Sequence, residues 1–163
     1  MSALLSWLES LSPDDWDARP AGAWEGSPPA DPATLASVED ALGVALPAEH
    51  RELLLASDGG ELSGPESSVT IAPVDDLVRR NADGRFRDAF PGMVTLGDDG
   101  GGALYFYDPQ DSLGRGAWAV YWVAWSALGV SWARFAGADL ADVLRRVADG
   151  VSFFDEPRLG GEH

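Results

Sequence analysis

The sequence predicts an α+β fold: an N-terminal helical hairpin, then an antiparallel β-meander sheet, then a C-terminal helix packed on that sheet. Three observations predict it. Apolar residues recur at helical spacing up to residue 56, the period changes to two after Gly64-Pro65, and helical spacing returns over 139–148.

The elements follow in order. Leu4, Leu5, Trp7, Leu8 and Leu11 put one apolar stripe on a helix over 2–12, and Ser12-Pro13-Asp14-Asp15 stops it. Residues 13–32 hold five prolines together with Trp16 and Trp24, more aromatic surface than a solvated linker carries. A loop lying across the core is expected there. Asp31-Pro32 is an N-cap followed by proline at the first helical position. Leu35, Val38 and Leu42 share one face of that helix, and Gly43 closes it. Pro47 and Glu49 start a second helix whose buried side is Leu53, Leu54 and Leu55, and Ser57-Asp58-Gly59-Gly60 turns the chain.

Val69 and Ile71 predict a short strand, and Val74, Leu77 and Val78 the inner face of a short helix. Residues 93–96 and 103–107 read as two strands of a hairpin across the glycine-rich segment 97–102. Residues 117–125 form the longest apolar run and are apolar on both faces, as in a central, doubly covered strand. Trp118, Trp122 and Trp125 are expected in the core. Leu140, Val143, Leu144 and Val147 line the closing helix, with Arg145 and Arg146 at its C-terminal end.

Composition bounds the function. The 163 residues hold 27 Asp and Glu against 11 cations, every one an arginine, for a net charge of −16 and a pI near 4.2. Nucleic acid and anionic membranes both need cationic neutralisation, so neither is expected as a direct partner; a basic protein is. An apolar fraction of 45% excludes a disordered acidic tail. With no cysteine there are no thiolate nucleophiles and no cysteine-held metals. No secretory signal and no membrane span is legible, so a cytoplasmic protein is expected, one domain over 1–163 with a tail at 151–163, monomeric or weakly homo-oligomeric.

No motif in the sequence carries a complete set of reactive groups. The glycine-rich segment 97–102 leads into a strand rather than a helix, lacks a lysine, and carries Asp98 and Asp99, which repel phosphate. Those carboxylates, with Asp58, Asp75, Asp76, Asp108 or Asp111, do not follow a calcium-loop pattern. His50 lacks a second histidine four positions on, His163 ends the chain, and no G-x-S-x-G occurs, so His50 is expected as a partly exposed helix residue. No catalytic residue, cofactor or metal is expected. Tyr105 and Tyr107 alternate with Leu104 and Phe106, share one face, and are expected as a partially exposed contact surface.

The segment 35–55 followed by Asp58-Gly59-Gly60 resembles the opening of the SUKH superfamily, the Smi/Knr-like family. Its members carry a helix ending "E-x-x-L-G", then "L-P", a second helix and an "N-G-G" or "D-G-G" turn. Glu39, Leu42, Gly43, Leu46, Pro47, Asp58, Gly59 and Gly60 stand at those positions. Gly97-Asp98-Asp99-Gly100-Gly101 with Tyr105-Phe106-Tyr107-Asp108 resembles the family's "G-x-D-G-G" hairpin and aromatic strand. The resemblance spans about residues 31–150 and leaves residues 1–30 outside it. It implies a non-enzymatic α+β domain of the bacterial immunity branch, whose members bind and neutralise a cognate toxin, often a nuclease or deaminase.

Two readings follow. In the first, an acidic surface covers the basic site of a cognate toxin, with Asp58, Glu61, Asp75, Asp76, Asp98, Asp99 and Asp111 as contributors beside Tyr105 and Tyr107. In the second, the chain is an interaction or regulatory module for an endogenous protein. Residues 1–82 hold 15 acids against 4 arginines and residues 83–163 hold 12 against 7, so the helical half is the expected partner-facing side.

Overall fold

A computed structural model describes residues 2–13 and 22–161. Its centre is a seven-stranded sheet in which every strand pairs antiparallel with its neighbour in the chain, in the order β1 to β7. The strands are β1 (Ala23–Gly26), β2 (Gly60–Ser63), β3 (Ser68–Ile71), β4 (Val94–Asp98), β5 (Ala103–Asp108), β6 (Ala119–Ala124) and β7 (Arg134–Gly137). Six α-helices are described with them: α1 (Ala3–Ser10), α2 (Pro32–Leu42), α3 (Ala48–Ala56), α4 (Val74–Asn81), α5 (Gly84–Ala89) and α6 (Leu140–Ala148). The α+β class and the meander are as the sequence predicts.

Local chemistry sets the helix ends. Ser2 Oγ accepts the Leu5 amide at 3.2 Å, Asp31 that of Thr34 at 3.1 Å, and Asp139 that of Asp142 at 2.8 Å. The link from α2 to α3 is held by Glu39, whose buried carboxylate accepts the Leu46 amide at 2.7 Å and pairs with Arg51 Nε at 3.0 Å. Those two hydrogen bonds give the "E-x-x-L-G…L-P" spacing a physical basis. The two helices then find different neighbours: α2 lies against α4, and α3 against α1 and α6.

One face of the sheet is covered by helices and the other is covered only over β5 and β6. Tyr105, Tyr107, Val120, Trp122, Val69 and Ile71 point into the larger core, which the helices α1, α2, α3, α4 and α6 complete. Leu104, Phe106, Tyr121 and Val123 point the other way, into a smaller core closed by Phe86 of α5 and by Phe90 just after it. Phe90 and Phe106 approach to 4.4 Å between ring centroids.

Several expectations need correction. Residues 13–32 are not wholly loop: β1 is an edge strand, and Trp24 is buried on it, its amide donating to Leu11 O at 3.1 Å. Trp16 lies outside the described residues, as does His163. The strand expected over 117–125 is shorter, because Trp118 takes a left-handed backbone (φ 64°) and Trp125 opens a 3-10 turn. Only Trp122 of those three tryptophans is in the strand; Trp118 and Trp125 are half-buried against the two cores. β2, β7 and α5 were not expected as elements.

Candidate partner-binding surface

The carboxylates singled out above fall into three places. Asp58, Asp75, Asp76 and Asp98 are drawn together around α4. Asp58 Oδ1 accepts the Val74 amide at 2.7 Å and so caps a helix whose preceding residue, Pro73, offers no side-chain cap. Gly59 beside it has a left-handed backbone (φ 85°) and would bring a Cβ to 2.4 Å from Ile71 O, which accounts for glycine after the aspartate. Replacing Asp58 with alanine is expected to cost about 1 kcal/mol, the loss of one helix cap. Urea denaturation measures it, and an unchanged midpoint would remove the capping role.

Asp76 binds Arg79 and Arg80 together. Its Oδ1 accepts Arg79 Nε at 2.8 Å and its Oδ2 accepts Arg80 Nε at 2.7 Å. Those hydrogen bonds, Arg80 foremost, hold the Asp76 carboxyl below its ordinary pKa. Arg80 also reaches Asp98 at 2.9 Å. Asp75 is exposed in the first turn of α4.

The second place is an acidic row on the sheet. Register sets Glu25 opposite Glu61, Glu61 opposite Thr70, and Thr70 opposite Asp98. Cross-strand partners point to the same face, here the face that carries Leu104 and the smaller core further along. Over β1–β4 that face holds an exposed Glu25 and half-exposed Glu61, Thr70 and Asp98. Glu61 is held by the hydroxyls of Ser63 (3.1 Å) and Thr70 (3.4 Å). Asp98 accepts the Gly100 amide at 2.8 Å, and Asp99 Oδ1 those of Gly101 and Ala103 at 2.9 and 3.1 Å, which shapes the β4–β5 turn.

Asp111 stands apart from both groups, in the β5–β6 loop at the opposite end of the sheet, where it accepts the Gly116 amide at 2.8 Å. Its residue is exposed.

Tyr105 and Tyr107 are not a contact surface. Both are 0% exposed, because the strand face they share is the one the helices cover. Tyr105 Oη donates to Ser68 O at 2.8 Å, and the Tyr107 hydroxyl lies 3.0 Å from His50 Nδ1. His50 is likewise fully buried rather than partly exposed, with Nε2 lacking a partner among the described residues. Burial lowers its pKa to about 4 and pushes the Tyr107 phenol well above its usual value. The phenol therefore stays protonated and donates to a neutral imidazole.

Two aromatics outside the predicted contact surface are exposed. Phe154 is 68% exposed and Trp132 48%. Arg134 lies over the rings of Trp122 (5.5 Å) and Phe154 (4.9 Å), and Arg158 over Trp132 (4.3 Å). Aromatic and arginine side chains of this kind dominate protein interfaces. The Phe153-Phe154 pair beyond the last helix is the one sequence signal that points there.

Among the described residues no three His, Asp or Glu side chains gather as a set that could hold a metal, and no helix is long and apolar enough to cross a membrane. Among curated proteins none matches the chain. A family model does: that of the SMI1/KNR4 family (SUKH-1), over residues 29–151.

Proposed function

The chain belongs to the SMI1/KNR4 family (SUKH-1), and from that membership we propose that it is a non-enzymatic binding protein, an immunity protein that neutralises a cognate toxin by covering its basic site. A nuclease or deaminase acting on nucleic acid must be cationic where it holds phosphate. A chain of net charge −16 is steered to such a site and competes with its substrate.

The observation that carries the reading is the acidic row Glu25–Glu61–Thr70–Asp98, laid across four strands with the β4–β5 turn carboxylate of Asp99 next to it. A rigid sheet presents these side chains at fixed spacing; hydroxyls orient Glu61, and a turn amide and Arg80 orient Asp98, before any partner arrives. Carboxylates that cap helices and turns still contribute to the field around the protein.

Co-expression with the toxin encoded beside the gene is the test. Growth is expected to be rescued, and purified toxin to bind with an association rate that falls about tenfold as salt rises from about 0.05 to about 0.5 M. Undiminished killing by every neighbouring toxin overturns the reading and leaves a module for an endogenous partner.

A further inference from the structure

The hairpin turns at 64–67 and 99–102 lie at the same end of the sheet, and the segment after α6 crosses beside them. A cavity of about 330 Å³ opens between these three pieces. Trp122, Phe153 and Phe154 form its aromatic walls, and Asp99 and Glu66 its charged ones. Phe153 is buried and set edge-on to Tyr105 at 5.8 Å, giving a fixed floor, while Phe154 stands out at the rim.

We infer that this cavity receives an arginine side chain of the basic partner, its guanidinium stacked on the exposed Phe154 ring and paired with Asp99 and Glu66. The inference rests on the immunity reading for the identity of the partner.

Four features carry it. The volume is at the low end for a ligand site and is ample for one long side chain. The Oδ1 atom of Asp99 is committed to the Gly101 and Ala103 amides, which fixes the carboxylate and leaves its second oxygen available. Glu66 is exposed on the β2–β3 turn and lines the same cavity. A planar guanidinium, unlike an ammonium, satisfies both walls at once, stacking on rings and binding carboxylate with two parallel N–H donors.

One cation already rests against these rings from outside the cavity, so the incoming guanidinium takes the part of Phe154 that faces the opening. Arg134, which does not line the cavity, lies over Trp122 and Phe154 and donates to Phe154 O at 2.5 Å. An exposed aromatic at the rim of a small pocket, with charges inside, also has the layout of an interface hot spot.

The test uses the full chain and two probes, Nα-acetyl-arginine amide and its neutral isostere Nα-acetyl-citrulline amide, followed by amide and indole NMR shifts. The arginine probe is expected to give saturable shifts confined to the Trp122 indole and to the backbone of 66–68, 99–102 and 152–155; the citrulline probe is expected to give none. Asp99→Asn keeps the Oδ1 acceptor for the turn, and Glu66→Gln touches no structural bond, so this pair removes charge without removing the fold. The double variant is expected to weaken arginine binding about fivefold or more, and Phe154→Ala to weaken it separately. Unsaturated shifts spread over the whole acidic surface, or equal binding by the double variant, overturn the inference.

The toxin assay separates the two readings. If the wild type protects and the double variant protects equally, the cavity is not the contact and the immunity reading stands. If the arginine probe fills the cavity while no neighbouring toxin is neutralised, the cavity stands and the immunity reading falls.

Discussion

Replacing Gly97 with alanine is expected to destabilise the fold by about 4 kcal/mol or more, enough to remove most soluble protein from an expression culture. Gly97 lies in β4 where the strand bulges, between the β3 pairing of Ile71 and the β5 pairing of Tyr105. A Cβ there would sit 1.9 Å from the carbonyl oxygen of Thr70 and 3.0 Å from its carbon. Both atoms are backbone in the middle of the sheet, so relief requires β3 and β4 to separate and the cores on either face to open. Gly102→Ala is the control, since a Cβ there meets nothing within 4 Å, and it is expected to change stability by less than about 0.5 kcal/mol. Urea denaturation of the two variants decides; equal midpoints would show that the close strand approach is absent in solution.

The second large effect is a loss of stability in mild acid. His50 is neutral in the folded protein, with its pKa lowered to about 4 by burial, whereas in the unfolded chain it titrates near 6.5. The unfolded state therefore takes up the proton first. Stability from this group is complete above the unfolded pKa and is lost as pH falls toward 4, about 2 kcal/mol by pH 5 and about 3 kcal/mol by pH 4. His50→Gln does not titrate and retains an acceptor for the Tyr107 hydroxyl, so its unfolding free energy should fall far less over the same range. Parallel losses in wild type and variant would assign the acid sensitivity to other groups.

The sequence makes legible the elements that carry their own punctuation. α2 and α6 have an aspartate cap and an apolar stripe, and β4 and β5 flank an unmistakable turn. β2 and β7 are four residues each, with one inward apolar side chain in Gly60-Glu61-Leu62-Ser63 and a mixed pattern in Arg134-Phe135-Ala136-Gly137. Their strand character comes from neighbours already in place. α5 has the same difficulty, since Phe86 is the one large apolar residue in Gly84–Ala89.

The candidate surface was legible as charge and illegible as position. Alternation correctly puts Tyr105 and Tyr107 on one face, but period two says nothing about which face is buried when both are. Likewise, Asp58 and Asp111 are equally acidic in the sequence. One caps α4 and the other fastens a loop at the far end of the sheet, because the turns brought different amides to them.

The order of the sheet bears on how the protein is made. Each strand pairs with the one before it, so hairpins can close by local steps while the chain is still short. The larger core cannot finish that way, because α6 packs on β2, β3 and α3 and supplies Leu140, Val143, Leu144 and Val147 to it. During synthesis those four side chains leave the ribosome a matter of seconds after β2 at ordinary elongation rates. Until then the part of the sheet face that α6 covers stays open. Ribosome-bound chains ending before residue 140 are the ones that would call on chaperones.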